Sequence, residues 1–222
     1  MKSIPQYLEE VQVTLGALPL EHIRNAVDLL LSANYAGSTV FVMGNGGSAA
    51  TASHFACDLA KGTITPGRPR FRAVALTDNV PLMTAWSNDV SYDDVFSDQL
   101  SGLIRRADVV VAISGSGNSA NILQAVKVAH RMGGITIGLS GFDGGQLSTM
   151  VDVPVVVPCD CMEQIEDVHV VLCHLMCTVL RERMQRIEPP LWRMQDTTGC
   201  RKEGSSFAVP HPSMALQGEG CW

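Results

Sequence analysis

His54 and Asp58 stand four residues apart in a run of helical character, so one helix face presents an imidazole and a carboxylate together. Such a pair can hold a divalent cation or move a proton. Far downstream, Glu166 and His174 lie eight apart on a second helical run, about 80° apart around its axis and about 12 Å along it. That spacing permits a point shared by both side chains without requiring one. Between the pairs, Ser114-Gly115-Ser116-Gly117-Asn118-Ser119 joins a β-like run, DVVVAI, to a helix. Free backbone N–H groups and the helix dipole attract an anion there. Glycine lets the backbone approach closely, and Ser114, Ser116 and Ser119 add hydroxyl donors without fixed positive charge. This chemistry suits a phosphorylated metabolite. A second glycine turn, Gly44-Asn45-Gly46-Gly47-Ser48, leads directly into the helix of His54.

Each feature has a plainer reading. The serine loop also resembles an ordinary helix cap and tight turn. Gly115-x-Gly117-x-x-Ala120 matches the dinucleotide fingerprint, but the next strand ends Leu139-Ser140-Gly141 with no acid for a ribose, and the unit comes third among the strands. Nicotinamide binding is therefore not expected. His54 or His174 taken alone is a packed, hydrogen-bonded histidine. His169 lies about 140° from His174 around the helix, which favours structure. Asp167, seven residues before His174 and almost in line with it, is a reserve candidate. Cys159-x-Cys161 lacks the second pair that a metal site needs, and His130 and His22 read as surface or core residues.

These residues need a scaffold, and the apolar pattern supplies one. Residues 3–16 and Glu21–Ala36 read as two helices ahead of any strand, leaving an apolar surface that another subunit can cover. Thr39–Met43, Phe71–Leu76, Asp108–Ile113, Ile135–Leu139 and Val153–Val157 then read as strands separated by helical patterns. Runs that are apolar on both faces predict a parallel sheet covered on both sides. In such sheets ligands bind beyond the carboxyl ends of the strands, where both glycine loops fall. A short helix is expected near Gln146–Met150. Glu163–Ile187 reads as one long helix stopped by Pro189-Pro190. Residues 1–187 form the expected domain, and 188–222, rich in Gly, Pro and Ser, read as a mobile tail without a catalytic part.

Composition excludes several classes. A chain of 222 residues is long enough for one α/β domain with a sizeable core, or at most two small ones, and 46% hydrophobic content marks it as folded rather than disordered. Its net charge of -6 argues against a dedicated nucleic-acid binder. No signal-peptide core and no transmembrane run is expected. Seven cysteines without regular spacing read as reduced thiols in cytoplasm, with Cys57, Cys173 and Cys177 expected as small buried hydrophobes.

Taken together, GNGGSAATASH, ISGSGNSANI and IEDVHVVLCH resemble the sugar isomerase (SIS) domain family, over about Pro5 to Arg186. Within it the chain is similar to members that interconvert seven-carbon aldose and ketose phosphates. The resemblance implies a three-layer fold with a five-stranded parallel sheet, in a homotetramer with active sites between subunits. It implies sugar-phosphate binding by Ser114, Ser116 and Ser119, with Asn45, Gly46, Gly47 and Asp78 beside the sugar. Asn88-Asp89 falls in a further family loop. The family's metal positions are His, Glu, Gln and His; here they are His54, Asp58, Glu166 and His174, a set suited to one zinc per subunit. The family arginine two residues before Glu166 is absent. The implied reaction takes sedoheptulose 7-phosphate to D-glycero-D-manno-heptose 7-phosphate through an enediol, the first step of nucleotide-activated heptose biosynthesis. Asp58 or Glu166 would be the base and His174 the partner acid/base. A non-catalytic SIS protein, binding a phosphosugar or a replication initiator, is the alternative.

Overall fold

The computed structural model describes residues 3–186. The reading of 188–222 as a tail, and with it the boundary at 187, lies outside the described residues.

Five strands form one parallel sheet: β1 Thr39–Gly44, β2 Arg72–Ala75, β3 Val109–Ile113, β4 Ile135–Ser140 and β5 Val153–Val156, in the order β2-β1-β3-β4-β5. The inner strands are buried on both faces because their side chains alternate between two cores. Val40, Val42, Val109, Val111 and Ile113 face one core, with α2 (Leu20–Ala36), α3 (Gly47–Cys57) and α8 (Met162–Arg186). Phe41, Met43, Val110 and Ala112 face the other, with α5 (Ser97–Leu103), α6 (Ala120–Arg131) and α7 (Gly145–Met150). Helix α1 (Ile4–Gly16) precedes α2, and α4 (Val80–Asp89) follows β2.

Three expectations are corrected. The run Phe71–Leu76 shortens to Arg72–Ala75, and Arg72 and Val74 are exposed. It is the edge strand, so its outer side lacks a neighbour to bury it. Helix α3 passes at Asp58 into a π-helical turn, Asp58–Gly62, which no sequence signal announced. Cys57, expected inside, is exposed, while Cys173 and Cys177 are buried. Burial pushes the Cys177 thiol up to about 12, and raises Cys173 as well, so both stay protonated and inert.

In the order β2-β1-β3-β4-β5, chain direction across the sheet reverses between β1 and β3. The loops after these two strands therefore flank the crevice where such sheets bind ligands. They are Gly44–Gly46 and Ser114–Ser119.

Candidate functional site

Helix α3 and the π-helical turn that continues it bury Ala52, Phe55, Ala56 and Leu59 in the core, which leaves His54 exposed and Asp58 half-buried on the outer side. Helix α8 does the same with Ile165, Val168, Leu172 and Met176, leaving His174 outward. The two helices lie side by side, and His54 Nε2 is 2.7 Å from His174 Nε2. Asp58 Oδ2 is 3.2 Å from His54 Nε2 and 3.6 Å from His174 Nε2. The rings meet edge to face, with centroids 4.8 Å apart. Ligand atoms of His54, Asp58 and His174 thus all lie within 4.8 Å of one another. Tetrahedral zinc with bonds of about 2.0–2.1 Å needs donor separations of about 3.3 Å. The two imidazole–carboxylate spans bracket that value, and the imidazole pair, at 2.7 Å, lies inside it. The donor set fits zinc.

Glu166, the fourth expected ligand, does not join them. Its carboxylate lies over Gly47, where an added Cβ would stand 2.8 Å from Oε2 and 2.9 Å from Oε1. The two helices run the same way, so the end of α8 bearing Glu166 meets the start of α3, and His174 meets its end. The N-terminus of α3 has no side-chain cap, and its amides and dipole favour a carboxylate there.

The serine loop is tightly held. Ser114 N–H donates to Leu139 O at 3.0 Å and Gly117 N–H to Ser114 O at 2.9 Å. Ser114 Oγ and Ser119 Oγ are 3.2 Å apart, and Ser116 Oγ accepts from Asn118 N–H at 3.3 Å. Gly117 has φ +65, and a Cβ there would overlap the Gly144 carbonyl. Only glycine fits both demands. Ser119 precedes α6 without capping it; Ile122 N–H donates to Asn121 Oδ1 at 2.9 Å and Leu123 N–H to Ser119 O at 3.1 Å, which leaves the Ala120 and Asn121 amides for an anion.

Asn45 ties the two loops together. Its Nδ2 donates to Asn121 Oδ1 at 2.9 Å, and Asn121 Nδ2 donates back to Asn45 Oδ1 at 2.9 Å. Tyr92 OH also donates to Asn45 Oδ1, at 2.8 Å. Neither Asn121 nor Tyr92 was singled out from sequence. Asn121 lay within the ISGSGNSANI motif, whereas a lone tyrosine 47 residues from its partner carries no pattern. Gly46 is exposed with φ +53. Asp78 accepts from Ser53 Oγ and lines a cavity of about 650 Å³ with Ser53, Cys57 and Asn79. It is reached through the neighbour of His54. Asn88 Nδ2 bonds its own neighbour, Asp89 Oδ1, at 2.8 Å.

The remaining candidates have structural partners. Asp167 accepts from Tyr7 OH at 2.6 Å, and this bond, with the carboxylate's charge, pushes the phenol up to about 12. His130 Nε2 meets Thr136 Oγ1 at 2.9 Å, and His22 is exposed. Cys159 and Cys161 donate to Gln164 Oε1 at 3.2 Å and Glu163 Oε2 at 3.3 Å. Among the described residues they enter no three-ligand cluster.

Residues 5–141 match the SIS domain. The chain is 40% identical over 176 residues to phosphoheptose isomerase of Geotalea daltonii, covering 79% of this chain and 91% of that protein. Among solved structures it is similar to phosphoheptose isomerase from Neisseria gonorrhoeae, with TM-score 0.73 and 35% identity, covering 81% of this chain and 97% of the other. The enzyme from Francisella tularensis gives TM-score 0.75 at 33% identity, with 81% and 96% covered.

Proposed function

The chain belongs to the SIS-domain family, and on that footing we propose that it isomerises sedoheptulose 7-phosphate to D-glycero-D-manno-heptose 7-phosphate, the first step of nucleotide-activated heptose biosynthesis. The observation that carries this reading is the convergence of His54, Asp58 and His174 in a chain whose serine loop is built for an anion. A base removes the proton beside the carbonyl, and an acid returns it to the neighbouring carbon. Asp58 takes the proton, with His174, 3.6 Å away, as its partner. Glu166 and Asp78 bind sugar hydroxyls, and Asn45, Gly46 and Gly47 shape that side of the pocket. Ser114, Ser116 and Ser119 hold the phosphate, so binding energy from the unreacting end orients the reacting one. Zinc held by His54, Asp58 and His174 would stabilise the developing oxyanion.

His54 lies seven residues, about 10 Å, along α3 from the loop at its start. A reaction centre completed between copies of the chain, in a homotetramer, accounts for that separation. Val171, Leu175 and Val179 are exposed around His174, as are Ile4, Leu8 and Leu20 on the N-terminal helices, which gives such an assembly apolar surface to bury. The described cysteines are free thiols, in keeping with the cytoplasm. No helix of the described residues is long and apolar enough to cross a membrane.

Purified full-length protein, with and without zinc, is incubated with sedoheptulose 7-phosphate and followed by NMR. The heptose phosphate should accumulate, with incorporation of solvent deuterium beside the carbonyl. Unchanged substrate under both conditions rejects the proposal.

A further inference from the structure

His169 is 1% exposed on α8. Its Nε2 lies 3.2 Å from the carbonyl oxygen of Ser140, while its Nδ1 is buried and without a partner. Burial pulls the ring down to about 4, so it is neutral at working pH. A neutral imidazole has one donor and one acceptor. The bond to a carbonyl therefore needs the Nε2–H tautomer, and the orphan at Nδ1 is a bare acceptor. An unpaired buried acceptor is a cost that Leu or Met in this position would avoid. The Ser140 carbonyl gains no necessary partner either, since Val157 N–H already donates to it at 2.8 Å. The carbonyl does not need this bond; only the imidazole does, because its buried N–H has no other partner, so the bond is there because a histidine is.

Its location gives it a use. Ser140 ends β4, between two residues that hold the serine loop. Leu139 O accepts from Ser114 N–H at 3.0 Å, and Gly141 N–H donates to Gly115 O at 2.9 Å. Helix α8 presses on the same place. A Cβ on Gly115 would overlap Met162 Sδ, and one on Gly141 would overlap the side chain of Ile165. Met162, Ile165 and His169 are spaced three and four residues apart, so one stripe of α8 covers the loop and the strand end. Two of these contacts are apolar and allow sliding. The third is directional.

We propose that His169 is a positioning residue for the phosphate loop: its Nε2–H bond to Ser140 fixes α8 against the end of β4 and holds Ser114–Ser119 in the anion-binding shape. This rests on the reading of that loop as the sugar-phosphate anchor.

Inorganic phosphate is the probe, titrated by calorimetry into the full-length wild type, His169→Met and His169→Gln. His169→Met should weaken phosphate binding about tenfold and raise KM for sedoheptulose 7-phosphate in proportion, with a smaller loss in kcat. His169→Gln, whose amide reaches the same carbonyl, should recover most of the lost affinity. A folded Met variant with wild-type phosphate affinity overturns the proposal, as do equal losses in Met and Gln. Should the Met variant not fold, a folded Gln variant that has lost phosphate binding overturns it. In wild type, ¹⁵N-histidine spectra should show an Nε2–H tautomer whose resonance moves on phosphate saturation; a resonance indifferent to phosphate, or no phosphate binding at all, also overturns it. Phosphate binding is read without turnover, so a protein that binds phosphate through this device yet isomerises no heptose would reject the activity and leave the positioning role standing.

Discussion

At the scale of single residues, the proposed reaction depends on Asp58, one methylene shorter than the glutamate of the family pattern. It lies where α3 yields to the π-helical turn, with its carboxylate 3.2 Å from His54 and 3.6 Å from His174. A π turn shifts the register of the helix locally and is frequent at functional sites. Here the turn begins at Asp58, whose N–H still bonds back to His54 O, so the four-residue alignment of the two side chains is kept. Asp58→Asn keeps the shape and removes the basic oxygen. Its kcat should fall by about 10²-fold or more, with the fold intact by circular dichroism and zinc binding weakened in a direct titration. Turnover within a few-fold of wild type would remove Asp58 from the proton path. His54 and Asp58 were legible as a pair because four-residue spacing shares a helix face whatever the tertiary structure. The meeting with His174, 120 residues on, was legible only through the family motif.

At the scale of elements, the two glycine loops differ in how much they tolerate. Gly117 combines φ +65 with a backbone oxygen, that of Gly144, where a Cβ would go. The backbone of Gly144 cannot yield cheaply, so Gly117→Ala should cost about 1–3 kcal/mol of stability and abolish measurable phosphate binding. Urea denaturation and phosphate titration check this together. Gly47 has ordinary backbone, and its obstacle is the far end of a flexible side chain, Glu166, at 2.8–3.0 Å. Gly47→Ala should leave the unfolding midpoint nearly unchanged while swinging Glu166 away, and raise KM for the sugar phosphate several-fold. A lowered midpoint with unchanged KM would make Glu166 a helix cap and nothing more. The strands were legible to within a residue or two where both faces are buried, as in β1, β3 and β4, because long apolar runs admit few alternatives. Edge strand β2 was over-read, since hydrophobicity there does not report which side has a neighbour. Glu166 was misplaced for a related reason. Its spacing from His174 on α8 left a shared point open and the family motif supplied the assignment; which end of α3 it faces depends on how two helices pair, and no local pattern encodes that.

At the scale of the whole molecule, buried groups set the pH range over which the fold holds. His169 is held at about 4 in the folded protein, against 6.5 when exposed, because burial opposes its charge. Between those values the unfolded chain binds more protons than the folded one. Stability is therefore complete above pH 6.5 and falls as pH drops toward 4, by at most about 1.4 kcal/mol per pH unit and about 3 kcal/mol in all. Burial pushes the Asp152 carboxyl up, but the Thr136 amide and hydroxyl, with His130, outweigh it and leave it below its usual 3.8. Its contribution is lost only at lower pH, so it does not mask the histidine limb. At the alkaline end, buried Cys173 and Cys177 keep their protons while the unfolded thiols ionise near 9. Stability should decline again above that value. Urea denaturation from pH 4 to 10 should thus give a plateau between about 6.5 and 9 with a limb on each side. His169→Met should flatten the acid limb and leave the alkaline one, and Cys177→Ala should reduce the alkaline limb alone. An acid limb that persists unchanged in His169→Met would assign it to other groups. A wild type with no acid limb would mean that the folded core carries a protonated ring, and the Nε2–H tautomer that bonds Ser140 would no longer follow from neutrality.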